Sequence, residues 1–158
     1  MRDFDGAYTK LDKILRLVRK RYGYGHENVA IILSNIGLCH YELGGIRTAS
    51  KTFEEVVEIL RDMTNIKIEA TILLRISIML GRSLNNLAYI RYKRNEFDGA
   101  IVAQEEALRL QCRILGNDHR EVKVATKNLA ICMAVANCKN NKEKLGNMTN
   151  LYMGMLSK

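Results

Sequence analysis

The 158-residue chain contains no proline, and its glycines and serines never gather into a long tract. With 47% hydrophobic and 27% charged residues, the lack of linker-like composition excludes a disordered chain and leaves a folded, soluble, helical one of single-domain size. No stretch approaches the roughly 18 consecutive apolar residues of a membrane span, so no membrane partner is expected. The four cysteines, Cys39, Cys112, Cys132 and Cys138, contain no Cys-x-x-Cys pair, and His26, His40 and His119 show no ligand spacing with them. That excludes the familiar zinc motifs and favours buried thiols in a reducing, cytoplasmic compartment. The basic start of the chain has the look of a mitochondrial presequence, but Asp3, Asp5 and Asp12 argue against one. No Gly-rich phosphate loop, nucleophile elbow, paired metal ligands or acid/base pair on a common face is present, so neither an enzyme nor a cofactor is expected.

What the chain does have is positive charge and a repeat. Its 25 basic residues exceed its 17 acidic ones, a net charge of +8 that points to acidic partners. From Ser83 to Leu115, apolar or small residues Leu84, Leu87, Ala88 and Tyr92 recur at helical spacing, followed by the break Lys93-Arg94-Asn95-Glu96 and a second amphipathic face through Phe97, Ala100, Ile101, Ala107, Leu108 and Leu110. This is a helix, a tight turn and a second helix. Sliding the chain by 93 positions aligns residues 3–39 with 96–132 without a gap, and 12 of the 37 pairs are identical, among them Phe4/Phe97, Gly23/Gly116, His26/His119, Asn35/Asn128 and Cys39/Cys132. A shift of 42 carries Asn86-Leu87-Ala88 onto Asn128-Leu129-Ala130, and a shift of 51 pairs Asn35 with Asn86 and Ala49 with Ala100. The period is therefore 42, with nine extra residues between the first and second full units.

The repeats divide one domain, residues 1–158, into successive pieces. Residues 3–24 form a half repeat consisting of a second (B) helix without its first (A) helix, which points to a fragment or a piece of a larger array. Residues 26–64 are a repeat turning at Gly44-Gly45, and 66–115 a repeat whose A helix is lengthened by the insertion. Residues 118–137 form the A helix of the last repeat, with Asp118 as its expected N-cap. Residues 140–156 are then a capping helix, with Leu145, Met148, Tyr152, Met155 and Leu156 on one stripe. His26 and His119 lie in the linkers, where a turn or capping role is expected.

Asn86, Leu87, Ala88, Phe97, Ala100 and Ala107 stand at the pattern positions of a tetratricopeptide repeat, whose small residues let helix backbones cross closely. The linkers YGYGHENVAIILSNIGLC at 22–39 and LGNDHREVKVATKNLAIC at 115–132 are similar to those of kinesin light chain and its relatives. That resemblance implies an all-α, right-handed alpha-alpha superhelix, a tetratricopeptide-repeat solenoid of about seven helices. It also implies cargo-style peptide binding, and with the net positive charge the expected role is a scaffold or adaptor that binds an extended, acidic peptide segment. The departures are the lack of a proline after His26 and His119 and of a heptad segment for a motor heavy chain. The carboxylate clamp of chaperone-binding repeats does not carry over either, because Val124 and Asn128 stand where it uses two basic residues.

In such a stack the A helices line a concave groove. The expected peptide-binding residues are Asn35, Asn86 and Asn128, whose amides both donate and accept, with Tyr41, Asn85, Tyr89, Tyr92, Lys93 and Lys127. Core packing and bonding within the framework are the plain alternatives for each. An RNA-binding helical repeat is the second functional reading, but Ala134 and Val135 replace Tyr92 and Lys93 in the last unit, so no code-like ladder recurs. A passive subunit of a larger assembly is a third. The insertion is apolar on more than one face, so residues 66–80, with Ile68, Ile72, Ile76 and Met79, are expected to form a second interface for self-association or docking, the alternative being that this overhang folds back against the B helix over 46–63.

Overall fold

The computed structural model describes the backbone of residues 3–156 and the side chains of residues 3–139. Six helices occupy these residues, α1 (Phe4–Tyr22), α2 (Glu27–Glu42), α3 (Ile46–Thr64), α4 (Ala70–Lys93), α5 (Phe97–Leu115) and α6 (Arg120–Leu156). Each packs against the helix before it and the helix after it, the order of a solenoid, and there is no strand among the described residues. The helices α2, α4 and α6 are the A helices and α1, α3 and α5 the B helices. Beyond sequence neighbours, α2 also touches α4, so the A helices line the inner side of the stack.

The helix ends follow from the linkers. Gly23 and Gly116 close α1 and α5 at φ 81°, a left-handed conformation that a residue with a Cβ adopts at a cost. Three residues beyond each comes the histidine, and its Nδ1 accepts the backbone N–H two residues on, Asn28 N at 3.1 Å for His26 and Glu121 N at 3.2 Å for His119. These are N-caps, and the expectation of a capping role holds. For α6 the cap is therefore His119 and not Asp118, because the helix starts at Arg120. At the turn between A and B helices, Gly44 has φ 81° and its equivalent Asn95 has φ 62°, asparagine being the side chain that tolerates this region best.

The third such position, Asn137, behaves differently. Helix α6 runs through it unbroken to Leu156, so the separate capping helix expected over 140–156 is the continuation of α6, and the described residues form six helices, close to the about seven expected. Neither glycine nor proline occurs between residues 117 and 145, and an asparagine alone costs a helix only about 0.7 kcal/mol. Lys139 and Lys142 have also replaced the Phe97 and Ala100 that fold α5 back onto α4, so the apolar reason for a turn is gone. The proposed stripe of Leu145, Met148, Tyr152, Met155 and Leu156 lies outside the described side chains.

The core runs along the stack from Leu15 through α2, α3 and α4 to Ala103 and Ala107 on α5. Its tightest crossing is between α2 and α3, where Phe53 is fully buried over Gly37. A Cβ at Gly37 would stand 2.9 Å from the Phe53 ring. In the next unit the equivalent pair is Ala88 and Gln104, a slightly larger residue facing a slimmer one. Gly37→Val is therefore expected to lower stability by about 1–3 kcal/mol in urea denaturation. Combined with Phe53→Leu, which makes room, the two losses are expected to be less than additive; strict additivity would count against the crossing described here.

Outer ion pairs repeat as well. Arg19 on α1 pairs with Glu55 on α3, and Arg61 on α3 pairs with Glu106 on α5 at 2.7 Å. These are the same positions one unit apart, and at the next one Cys112 replaces the arginine. Exposed pairs of this kind contribute at most about 1 kcal/mol each, so they set register more than stability.

The insertion divides between a loop and a helix. After α3 ends at Thr64, residues 65–69 cross to the start of α4, which begins at Ala70 instead of 66. Ile76 is fully buried in the core, and Ile68, Ile72 and Met79 are half-buried against it. Of the four residues expected to form a second interface, Ile76 is therefore core, while Ile68, Ile72 and Met79 pack on the core with part of their surface open. Within α4, Ile72 and Ile76 continue the core stripe of Leu80, Leu84 and Leu87 back by two turns. Ile66, Leu73 and Leu74 are the apolar side chains this segment leaves exposed.

Candidate functional site

All nine residues expected in the groove lie on the inner helices α2, α4 and α6, but they form separate groups. The first joins α2 to α4. The Tyr41 and Tyr89 hydroxyls share a hydrogen bond, 3.0 Å between oxygens, with the rings edge to face and centroids 5.5 Å apart. Lys93, one turn beyond Tyr89, places its ammonium 5.3 Å from the centre of the Tyr89 ring. The hydrogen bond with Tyr89 raises the Tyr41 pKa above the ordinary tyrosine value, helped by burial and by the charges of Tyr89 and Glu42. Tyr41 is therefore a neutral hydrogen-bonding phenol at physiological pH.

A second group lies across α4, α5 and α6. Tyr89, Tyr92 and Asn128 line a pocket of about 170 Å³ together with Ala88, Gln104, Ile131 and Cys132. Its walls are apolar and its polar groups are two amides. Gln104 is buried, and its Nε2 donates to Asn85 Oδ1 at 2.7 Å, so Asn85 holds the floor of the pocket in place. Tyr92 is fixed from the other side by its edge-to-face contact with Phe97, 5.7 Å between centroids. Cys132 is buried, and burial pushes its thiol pKa up, which makes it an apolar wall and a poor nucleophile.

The remaining residues stand apart. Asn35 is exposed and turns its Nδ2 onto the carbonyl of Ile31, 3.2 Å away in its own helix. Asn86 opens with Asn85, Arg82 and His119 into a wider hollow between α4 and the start of α6. Lys127 is exposed, and neither it nor Lys93 has an acidic partner within ion-pair distance among the described residues. In contrast, Glu27 and Glu121 on the inner helices are each held by an arginine of α4, Arg75 at 2.7 Å and Arg82 at 2.9 Å.

One feature of the inner face escaped the sequence pattern. Leu38, Tyr89 and Ile131 occupy the same position in three successive A helices and are 44%, 48% and 43% exposed. Half-exposed apolar side chains at equivalent positions make a continuous strip across the face. The signal was present, since each lies three residues after an asparagine of the Asn35, Asn86 and Asn128 set. Gln104 was missed too, although it stands in the repeat where Phe53 and Leu11 stand elsewhere.

Two tetratricopeptide-repeat family models match the chain, one over residues 1–62 and one over residues 80–121. The chain is built of tetratricopeptide repeats. The stretch between the two matches is the part of α3–α4 that carries the nine extra residues, where the repeat is least regular. A search of curated proteins found no match. Tetratricopeptide repeats are as a class protein–protein interaction motifs, which supports a role for the chain in protein binding. No helix among the described residues is long and apolar enough to cross a membrane.

Proposed function

We propose that this tetratricopeptide-repeat chain is an adaptor whose inner face, formed by α2, α4 and α6, binds an extended acidic peptide. The observation that carries the reading is the half-exposed strip of Leu38, Tyr89 and Ile131, running past amides at Asn35, Asn86 and Asn128. An extended segment laid across it gains apolar burial from alternate side chains and partners for its backbone groups. The sign of the charge comes from Lys93 and Lys127, which have no acidic partner among the described residues, beside Glu27 and Glu121, which are already paired with arginines. The likeness of the linkers to kinesin light chain supports a cargo-type peptide in the same place.

The test is selection of random twelve-residue peptides on the purified chain, followed by affinity measurement on an Asn86→Ala/Lys127→Glu variant. Both side chains are polar and outside the buried core, so the melting temperature should stay within about 2 °C of the parent. Selected peptides should be rich in Asp and Glu, and their binding should weaken by roughly ten- to a hundredfold, the equivalent of about 1–3 kcal/mol. Equal affinity in parent and variant would remove the groove as the site. Selection of RNA in place of peptides, from a mixed pool, would favour the nucleic-acid reading.

A further inference from the structure

On the inner face the Tyr41 and Tyr89 hydroxyls meet beside the Lys93 ammonium, with no carboxylate bonded to them among the described residues, and a pocket adjoins them. The two share Tyr89. We propose that the Tyr41–Tyr89 hydroxyl pair with Lys93 holds a carboxylate of the bound peptide, and that the pocket beyond Tyr89 takes a medium-sized side chain about three residues further along. This inference rests on the groove reading above and adds to it the register and the specificity of the segment bound.

Two hydroxyls have two protons, and the bond between Tyr41 and Tyr89 uses one of them. Whichever phenol accepts has its own O–H left to donate, and Tyr89 is 48% exposed, so that donor reaches the groove. Hydrogen bonding to Tyr89, burial and the nearby Glu42 charge all raise the Tyr41 pKa, so Tyr41 does not itself become an anion. Glu42 is the carboxylate of the chain closest in sequence, yet it makes no hydrogen bond to either phenol among the described residues. Lys93 lies over the Tyr89 ring and supplies the positive charge. A neutral O–H beside an ammonium suits a carboxylate, which accepts from both with its two oxygens.

The neighbouring pocket has room for a side chain and not for a whole residue, about 170 Å³. Its apolar walls favour an aliphatic body, and the amides of Gln104 and Asn128 leave hydrogen-bonding capacity at floor and rim. Leucine, methionine and glutamine match that combination. The register follows from the helices. The phenol pair lies between α2 and α4 and the pocket across α4, α5 and α6, with Tyr89 in both, so the two are no further apart than about one layer of packed side chains, roughly 8–10 Å. An extended peptide advances about 3.3 Å per residue and covers that gap in roughly three residues.

The experiment uses the peptides selected on the parent chain. They should carry Asp or Glu three positions from Leu, Met or Gln, and replacing that acid by its amide should weaken parent binding at least about fivefold. Tyr41→Phe or Tyr89→Phe alone leaves one free hydroxyl and should change this discrimination by less than about twofold. The double variant Tyr41→Phe/Tyr89→Phe keeps both rings and Lys93 but loses both hydroxyl donors, so its preference for acid over amide should fall by at least about twofold. Lys93→Gln, at an exposed position, should reduce the preference as well and serves if the double variant is unstable. Peptides lost by Asn86→Ala/Lys127→Glu but with unchanged acid preference in both the double Phe and the Lys93→Gln variants would overturn this inference while leaving the groove intact. Peptides indifferent to Asn86→Ala/Lys127→Glu would instead overturn the groove reading itself.

Discussion

Replacing Phe53 by alanine is expected to lower the unfolding free energy by about 3–5 kcal/mol, among the largest losses available to a single apolar truncation here. Phe53 is fully buried and is the largest side chain of that class in the core. It sits at the crossing of α2 and α3, over a glycine that leaves no side chain of its own to fill the space. The cavity therefore collapses poorly, which places the cost toward the upper end of the range. A solenoid also transmits the damage to its neighbours, because each helix is covered only by those beside it. Urea denaturation followed by circular dichroism gives the loss directly. A change below about 1.5 kcal/mol would mean that α2 and α3 repack freely and that Gly37 is not matched to this ring.

The architecture was legible because the chain repeats itself. Twelve identities over one shift gave the number of units, the linker glycines and the capping histidines at once, since a position that recurs is constrained by the same local geometry each time. What was not legible is what breaks the repetition. Asn137 stands at a turn position, and only the loss of the following apolar residues tells that the helix runs on through it. The inner-face asparagines were legible for the same reason as the linkers. Leu38 and Ile131 were not, because an apolar residue at helical spacing reads as core whether it is covered or half open, and only the curvature of the stack separates the two. Gln104 carried a visible hint, an amide in a position held by phenylalanine and leucine in the other units. The structure gives that amide a partner in Asn85 and a pocket to face. The insertion shows the converse case. Its nine-residue excess of apolar residues divides once the helical phase is followed back from Leu80: Ile76 falls inside, while Ile66, Leu73 and Leu74 stay exposed.

Ile76→Glu is accordingly expected to unfold the chain and not to separate subunits. Loss of a fully buried isoleucine side chain costs about 2–5 kcal/mol before any charge is considered. The new carboxyl has no cation at hand in an apolar site, so burial raises its pKa well above the unfolded value of about 4.3. Between those two values the folded state binds more protons than the unfolded one, so stability falls as pH rises through this interval. The part of the penalty due to charge is absent below about pH 4.3 and complete above the raised folded value. The variant should therefore be measurably less unstable at pH 5 than at pH 8, relative to the parent at each pH. Leu74→Glu, at a residue 49% exposed in the same helix, provides the comparison and should change stability by no more than about 0.5 kcal/mol. Urea melts at the two pH values, with light scattering on the same samples, separate the outcomes. An Ile76→Glu protein with parental stability and a smaller mass would place Ile76 in a contact between chains; loss of the folded state with the opposite pH trend would show that the carboxyl finds a cation.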